Sequence, residues 1–157
     1  MKILLVAATK FEIKPLLKNL TRVSAKKNLL SYRFRKHSVD VLITGVGMTA
    51  TAFYLGKILN EQYDLAINMG VAGSFKKNIP PGTVVNVIND CFADLGAEDG
   101  EEFLTLEEMR IGEAGSQKPE AGSWKSEVGS YLLKVSGITV NTVHGNRKSI
   151  KKIIKKF

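Results

Sequence analysis

The stretch NMGVAGSF (residues 68–75) follows the short apolar run LAI (residues 65–67) and carries two glycines, with Asn68 as its only strong side-chain hydrogen-bonding group beyond a hydroxyl. An apolar run giving way to such a loop predicts a buried strand that ends in a tight turn. The loop has a second use. Glycine lacks the Cβ that would hold a ligand away from main-chain N–H groups, so the backbone itself can become a binding surface.

The same phrase occurs upstream, where VDVLIT (residues 39–44) runs into GVG (residues 45–47) and then into helical spacing from about Thr49 to Asn60. Tyr54, Leu55, Ile58 and Leu59 supply that helix's apolar stripe. KILLVA (residues 2–7) predicts another buried strand, followed by a helix over residues 9–20 with Phe11, Leu16 and Leu20 broadly on one side. Thr9 and Glu12 have capping-box spacing, and Pro15 sits early enough for the helix to survive with a local distortion. LSYRFR (residues 30–35) alternates and forms a hairpin with the strand after KHS, which places His37 at an exposed tip.

Farther along, IPPG (residues 79–82) launches the strand TVVNVI (residues 83–88), and ITVNTV (residues 138–143) predicts one more. Between them, residues 110–126 are polar and rich in Gly and Ser, which predicts a mobile loop within a single domain spanning residues 1–157. Strands alternating with helices imply an α/β class with a mixed, largely parallel central sheet and flanking helices. Ligands in such folds bind at the carboxyl ends of the strands, where both glycine loops fall.

The formal charge of +8 is concentrated at one end. Residues 147–157 hold six basic residues and no acid, leaving 17 basic against 15 acidic in the rest of the chain. A nearly neutral body without interleaved aromatics argues against a nucleic-acid surface. In the terminal helix, Ile150, Ile153, Ile154 and Phe157 recur at i, i+3, i+4 and i+7 opposite the lysines. That pattern reads as an outer helix docked by its apolar face, in preference to a membrane-surface helix. The longest apolar runs are too short to cross a bilayer, and no signal-peptide pattern follows Met1. The expectation is a soluble, cytoplasmic protein. Cys91 is the single cysteine and reads as a small core filler. The acidic run Asp94, Glu98, Asp99, Glu101, Glu102 lacks calcium-loop spacing and reads as a solvated, glycine-turned crossover, not a metal site.

Taken in order, MKILLVAATKFE, ITGVGMTAT, NMGVAGSF with IPPGTVV, CFADLGAEDGEEF and GITVNTVHGN resemble the nucleoside phosphorylase and nucleosidase superfamily over essentially the whole chain. Within it, ADLGAEDG and TVNTVHGN are most similar to futalosine hydrolase, which releases hypoxanthine from futalosine in menaquinone biosynthesis. The 5′-methylthioadenosine/S-adenosylhomocysteine nucleosidases share the first three motifs and are the alternative. The resemblance implies a three-layer α/β sandwich, a nucleoside substrate, no metal or redox cofactor, and a homodimer. It also implies that the chain spans roughly the first two-thirds of a family domain and is incomplete at its C-terminus. The family's Met-Glu pair that grips the ribose, and its base-binding acid or amide, lie beyond Phe157. A third reading from another class follows: a non-catalytic remnant or interaction module.

Hydrolysing an N-ribosidic bond passes through a cationic sugar and needs a carboxylate to deprotonate water. By the resemblance, Glu12 is that catalytic residue; by spacing alone it is a helix cap with Thr9. The family phosphorylases carry an arginine for phosphate in the first loop, whereas this loop reads AATKFE, which favours hydrolysis. Gly45, Val46, Gly47 and Met48 match the loop beside ribose and water, and Val71, Ala72 and Gly73 match the loop along ribose and base. Asp94 is a further candidate contact with substrate. His144 fits a structural histidine and a base-edge contact equally.

Overall fold

The computed structural model describes residues 1–59, 62–106, 108–109 and 131–157. They fall into two compact units, Met1–Gly73 and Ser74–Phe157, each with its own elements.

The first unit runs β1 (Lys2–Ala7), α1 (Lys10–Leu17), β2 (Thr21–Lys26), β3 (Leu29–Phe34), β4 (His37–Ile43), α2 (Met48–Ile58) and β5 (Leu65–Asn68). Its five strands form one mixed sheet in the order β2-β3-β4-β1-β5. β1 is parallel to both neighbours, and β2-β3-β4 is an antiparallel meander. A central strand buries both faces, which explains why β1 is continuously apolar from Ile3 to Ala7. Leu5 and Ala7 face one way and join Val39, Val41 and Ile13, with Leu16, Leu17 and Leu20 packed against them. Leu4 and Val6 face the other way with Leu42, covered by Tyr54, Leu55 and Ile58 of α2. Helix, sheet and helix therefore make three layers in this unit.

Several expectations shift. Phe11 is 82% exposed and lies off the buried face of α1. At about 100° per residue it is about 200° from Ile13, the residue that centres the apolar stripe. Leu59 ends α2 in an extended conformation and is half exposed, so the stripe stops at Ile58. β5 alternates half-buried and exposed residues, because among the described residues it pairs only with β1 at the sheet edge. β2 has no sequence signature: TRVSAK is exposed throughout and is a strand because β3 offers it a ladder. His37 is the first residue of β4 and half-buried, with Nδ1 shielded from solvent and unpaired; the tip consists of Arg35 and Lys36.

The second unit holds β6 (Val85–Phe92), β7 (Gly96–Asp99), β8 (Glu102–Thr105), β9 (Leu133–Thr139) and α3 (Arg147–Lys156). β6 pairs in parallel with β9, and β7-β8 is an antiparallel ribbon where a solvated crossover was expected. Gly100 supplies that ribbon's left-handed turn residue at φ +62. β6 extends to Phe92 and carries the half-buried Cys91 within it. The loop expected over residues 110–126 lies outside the described residues. Asn146 caps α3 by accepting from Ser149 N at 2.9 Å. Near its end Lys156 pairs with Glu108 at 3.1 Å and donates to the Phe103 carbonyl. The Thr105 N–H bonded to Glu108, aided by Lys156, holds the Glu108 carboxyl below its ordinary range. α3 buries no residue fully, and Ile154 and Phe157 are about half exposed. Among the described residues, no helix is long and apolar enough to cross a membrane.

A carboxylate is built into the first unit's core. Asp40, 8% exposed, accepts from Ser31 Oγ at 2.6 Å and from Tyr63 OH at 2.9 Å, with Lys2 Nζ 3.9 Å away. Burial, reinforced by this bond and the Asp40 charge, pushes the Tyr63 phenol from 10.0 up to about 12. Between those values the folded chain keeps a proton that the unfolded chain has lost. The contribution to stability is therefore intact below pH 10.0 and is lost as pH rises toward about 12. The tyrosinate absorbance difference between wild type and Tyr63→Phe is expected to titrate near 12, and wild-type unfolding free energy to fall more steeply through that window. Titration of this difference at 10.0 would show that the Asp40 environment does not hold the phenol neutral.

Candidate functional site

In the parallel register Ala7 lies opposite Ile43, and Val6 opposite Asn68, so β4, β1 and β5 end at one edge. The ties continue into the loops. Thr44 N donates to Ala7 O and Gly45 N to Ala8 O, each at 3.0 Å, while Met69 N donates to Val6 O at 2.9 Å. Three strand-end segments that are distant in sequence thus become neighbours through main-chain bonds alone.

The loop after β4 is built on glycine conformations. Gly45 and Gly47 have φ of +83 and +108, where an L side chain is strained. Gly47 is also the N-cap of α2 and brings no capping side chain, so bare main chain opens onto the edge. Thr44 Oγ1 donates to the Gly45 carbonyl at 2.9 Å and accepts from Thr51 Oγ1 at 3.2 Å, anchoring the loop to the first turns of α2. Met48 begins the helix, and Val46 stands 81% exposed.

Glu12 sits half-buried in the first turn of α1 and joins two of these loops. Its Oε2 accepts from Thr9 N at 2.8 Å and Thr9 Oγ1 at 3.0 Å, so the capping-box expectation holds. Its Oε1 accepts a longer bond, 3.3 Å, from Val71 N. Cap and site residue are therefore not exclusive: one oxygen serves the helix, and the other faces the loop after β5. A Cβ on Gly70 would lie 3.0 Å from Oε1, so the close approach depends on the missing side chain. Neither Gly70 nor Thr9 stands among the residues the sequence pointed to as binding. The available signal was the first glycine of NMGVAGSF, which reads as an ordinary turn until Glu12 is placed against it. Val71, Ala72 and Gly73 continue that loop with exposed positions, Val71 at 78%.

In the second unit, Asp94 follows β6 and is half-buried. Its carboxylate accepts from Asn141 N at 2.5 Å, Asn141 Nδ2 at 3.2 Å and Thr142 N at 3.4 Å. These bonds explain why β9 covers Leu133–Thr139 and not residues 138–143: the amides that would extend the ladder are turned to Asp94. His144, two residues on from Thr142, is half-buried with Nε2 shielded and unpaired. Among the described residues, no three His, Cys, Asp or Glu side chains are grouped to hold a metal ion.

The sequence profile of the phosphorylase superfamily matches residues 2–121, most of the chain. The chain belongs to the phosphorylase superfamily. No curated protein sequence matches it. Among solved structures, it is similar to Helicobacter pylori MTAN with a TM-score of 0.68 and 16% identity, covering 100% of this chain and 75% of that one. It is similar to futalosine hydrolase of Helicobacter pylori strain 26695 with a TM-score of 0.66 and 15% identity, covering 100% and 71%. The Streptococcus pneumoniae MTA/SAH nucleosidase in complex with 8-aminoadenine gives 0.67, 18%, 99% and 71%. By name these neighbours are nucleosidases or hydrolases, and what they share with this superfamily member at such identities is the fold.

The Asp94 tie can be tested within the second unit. Asp94→Ala is expected to speed amide hydrogen exchange of Asn141 and Thr142 about tenfold or more, since hydrogen bonds to a charged group contribute about 1.5–3 kcal/mol. Unchanged exchange at both amides would mean that Asp94 does not organise this turn.

Proposed function

We propose that this phosphorylase-superfamily protein is a purine nucleosidase, hydrolysing the N-ribosidic bond with Glu12 as the base that activates water. The observation that carries this reading is the placement of Glu12. Its carboxylate is held at the strand-end edge by Thr9 and the Val71 N–H, with Oε1 turned toward bare main chain and carrying, among the described residues, one long bond. In the proposed step the water oxygen bonds to C1′ as the C1′–N bond breaks and its electron pair leaves with the base. The water proton passes to Oε1, and the departing purine takes a proton from solvent.

Gly45, Val46, Gly47 and Met48 then flank the ribose and the water, and Val71, Ala72 and Gly73 run along ribose and base. Main chain without bulky side chains suits a flat heterocycle, which needs a thin wall more than a deep pocket. The motifs ADLGAEDG and TVNTVHGN favour futalosine as the nucleoside, with release of hypoxanthine; methylthioadenosine is the alternative substrate. The same reading carries a cytoplasmic homodimer.

The test offers futalosine, methylthioadenosine and inosine side by side and follows release of the free base. Turnover is expected with futalosine preferred, and Glu12→Gln is expected to lower kcat by about 10²–10⁴-fold, the usual contribution of a positioned base. Full activity in Glu12→Gln, or no base released from any of the three nucleosides by folded wild-type protein, would overturn the proposal.

A further inference from the structure

We propose that Thr9 and Gly70 are positioning residues for Glu12, and that together they decide which of its two oxygens is free to act; this rests on the nucleosidase reading above. Both donors of Thr9, the N–H at 2.8 Å and the hydroxyl at 3.0 Å, converge on Oε2. A carboxylate oxygen accepting two short bonds is committed, and rotation about the Glu12 side chain would forfeit both. Among the described residues, Oε1 is left with the 3.3 Å bond from Val71 N, which leaves acceptor capacity for a water.

Gly70 acts from the opposite side. It has no left-handed φ, so its backbone would accept an alanine; the obstacle is the 3.0 Å approach of a Cβ to Oε1, with Glu12 Cδ at 3.6 Å. That separation is tight, and a carboxylate pinned by Thr9 has little room to retreat. Thr9 pulls on one oxygen, while Gly70 makes room for the other. A shift of a few tenths of an ångström misaligns a base with its water and lowers turnover without altering substrate affinity.

The experiment compares Thr9→Val, Thr9→Ser and Gly70→Ala with wild type through two readouts. The first needs no turnover: the backbone amide resonance of Val71, whose shift reports the bond to Oε1. Thr9→Val and Gly70→Ala are expected to move it, whereas Thr9→Ser, which keeps the hydroxyl, leaves it in place. The second is kinetics on the preferred purine nucleoside. Thr9→Val and Gly70→Ala are expected to lower kcat about tenfold with KM nearly unchanged, and Thr9→Ser to restore kcat. A loss of helix stability alone would lower the melting temperature without this split. A Val71 resonance indifferent to both Thr9→Val and Gly70→Ala overturns the positioning assignment. If wild type released no base from any nucleoside, the catalytic reading would fall, and the resonance would still decide whether Thr9 and Gly70 hold the carboxylate.

Discussion

The parallel ladder from β4 through β1 to β5 is the constraint on which the candidate site depends. Its register is set by burial: β1 has apolar side chains on both faces, and sliding it by one residue would exchange Leu5 and Ala7 for Leu4 and Val6 in layers shaped for the other set. Once that register holds, Ala7, Ile43 and Asn68 end together, and their following loops share main-chain bonds. Each loop then needs only a conformation, which glycine supplies, to present its backbone at the edge.

Glu12 shows how one side chain can cap a helix and reach across a sheet edge at once. A capping box satisfies donors at a helix start, a local and modest stabilisation. Placed at the carboxyl end of a central parallel strand, the same box aims a carboxylate across the edge toward Val71. The cap supplies rigidity that a catalytic carboxylate would otherwise have to obtain from separate neighbours. Asp94 does comparable work in the second unit, where it turns the chain after β9 through the amides of Asn141 and Thr142.

How much was legible depended on how local the cause was. KILLVA, the β3-β4 pairing and the Thr9–Glu12 box announce themselves through apolar pattern or fixed spacing, and they formed, with a tighter hairpin turn that draws His37 into β4. Phe11 lies off the buried side of its helix because Ile13, which the spacing of Phe11, Leu16 and Leu20 leaves out, defines the stripe. β2 and the β7-β8 ribbon are too polar for a periodic signal; pairing partners make them strands. The end of β9 was misplaced since ITVNTV is apolar and β-branched enough for a strand, while the carboxylate that diverts its last amides lies 47 residues earlier at Asp94.

By itself, the sequence determined the layer class, the central strand, the glycine loops and the family, because each rests on composition and order along the chain. Only the tertiary structure decided that Glu12 Oε1 reaches Val71 N, that a Cβ on Gly70 would lie 3.0 Å from that oxygen and that both Thr9 donors meet on Oε2. Those facts are distances between groups up to 59 residues apart, and a periodic pattern carries no information about them until the parallel register brings the strand ends together.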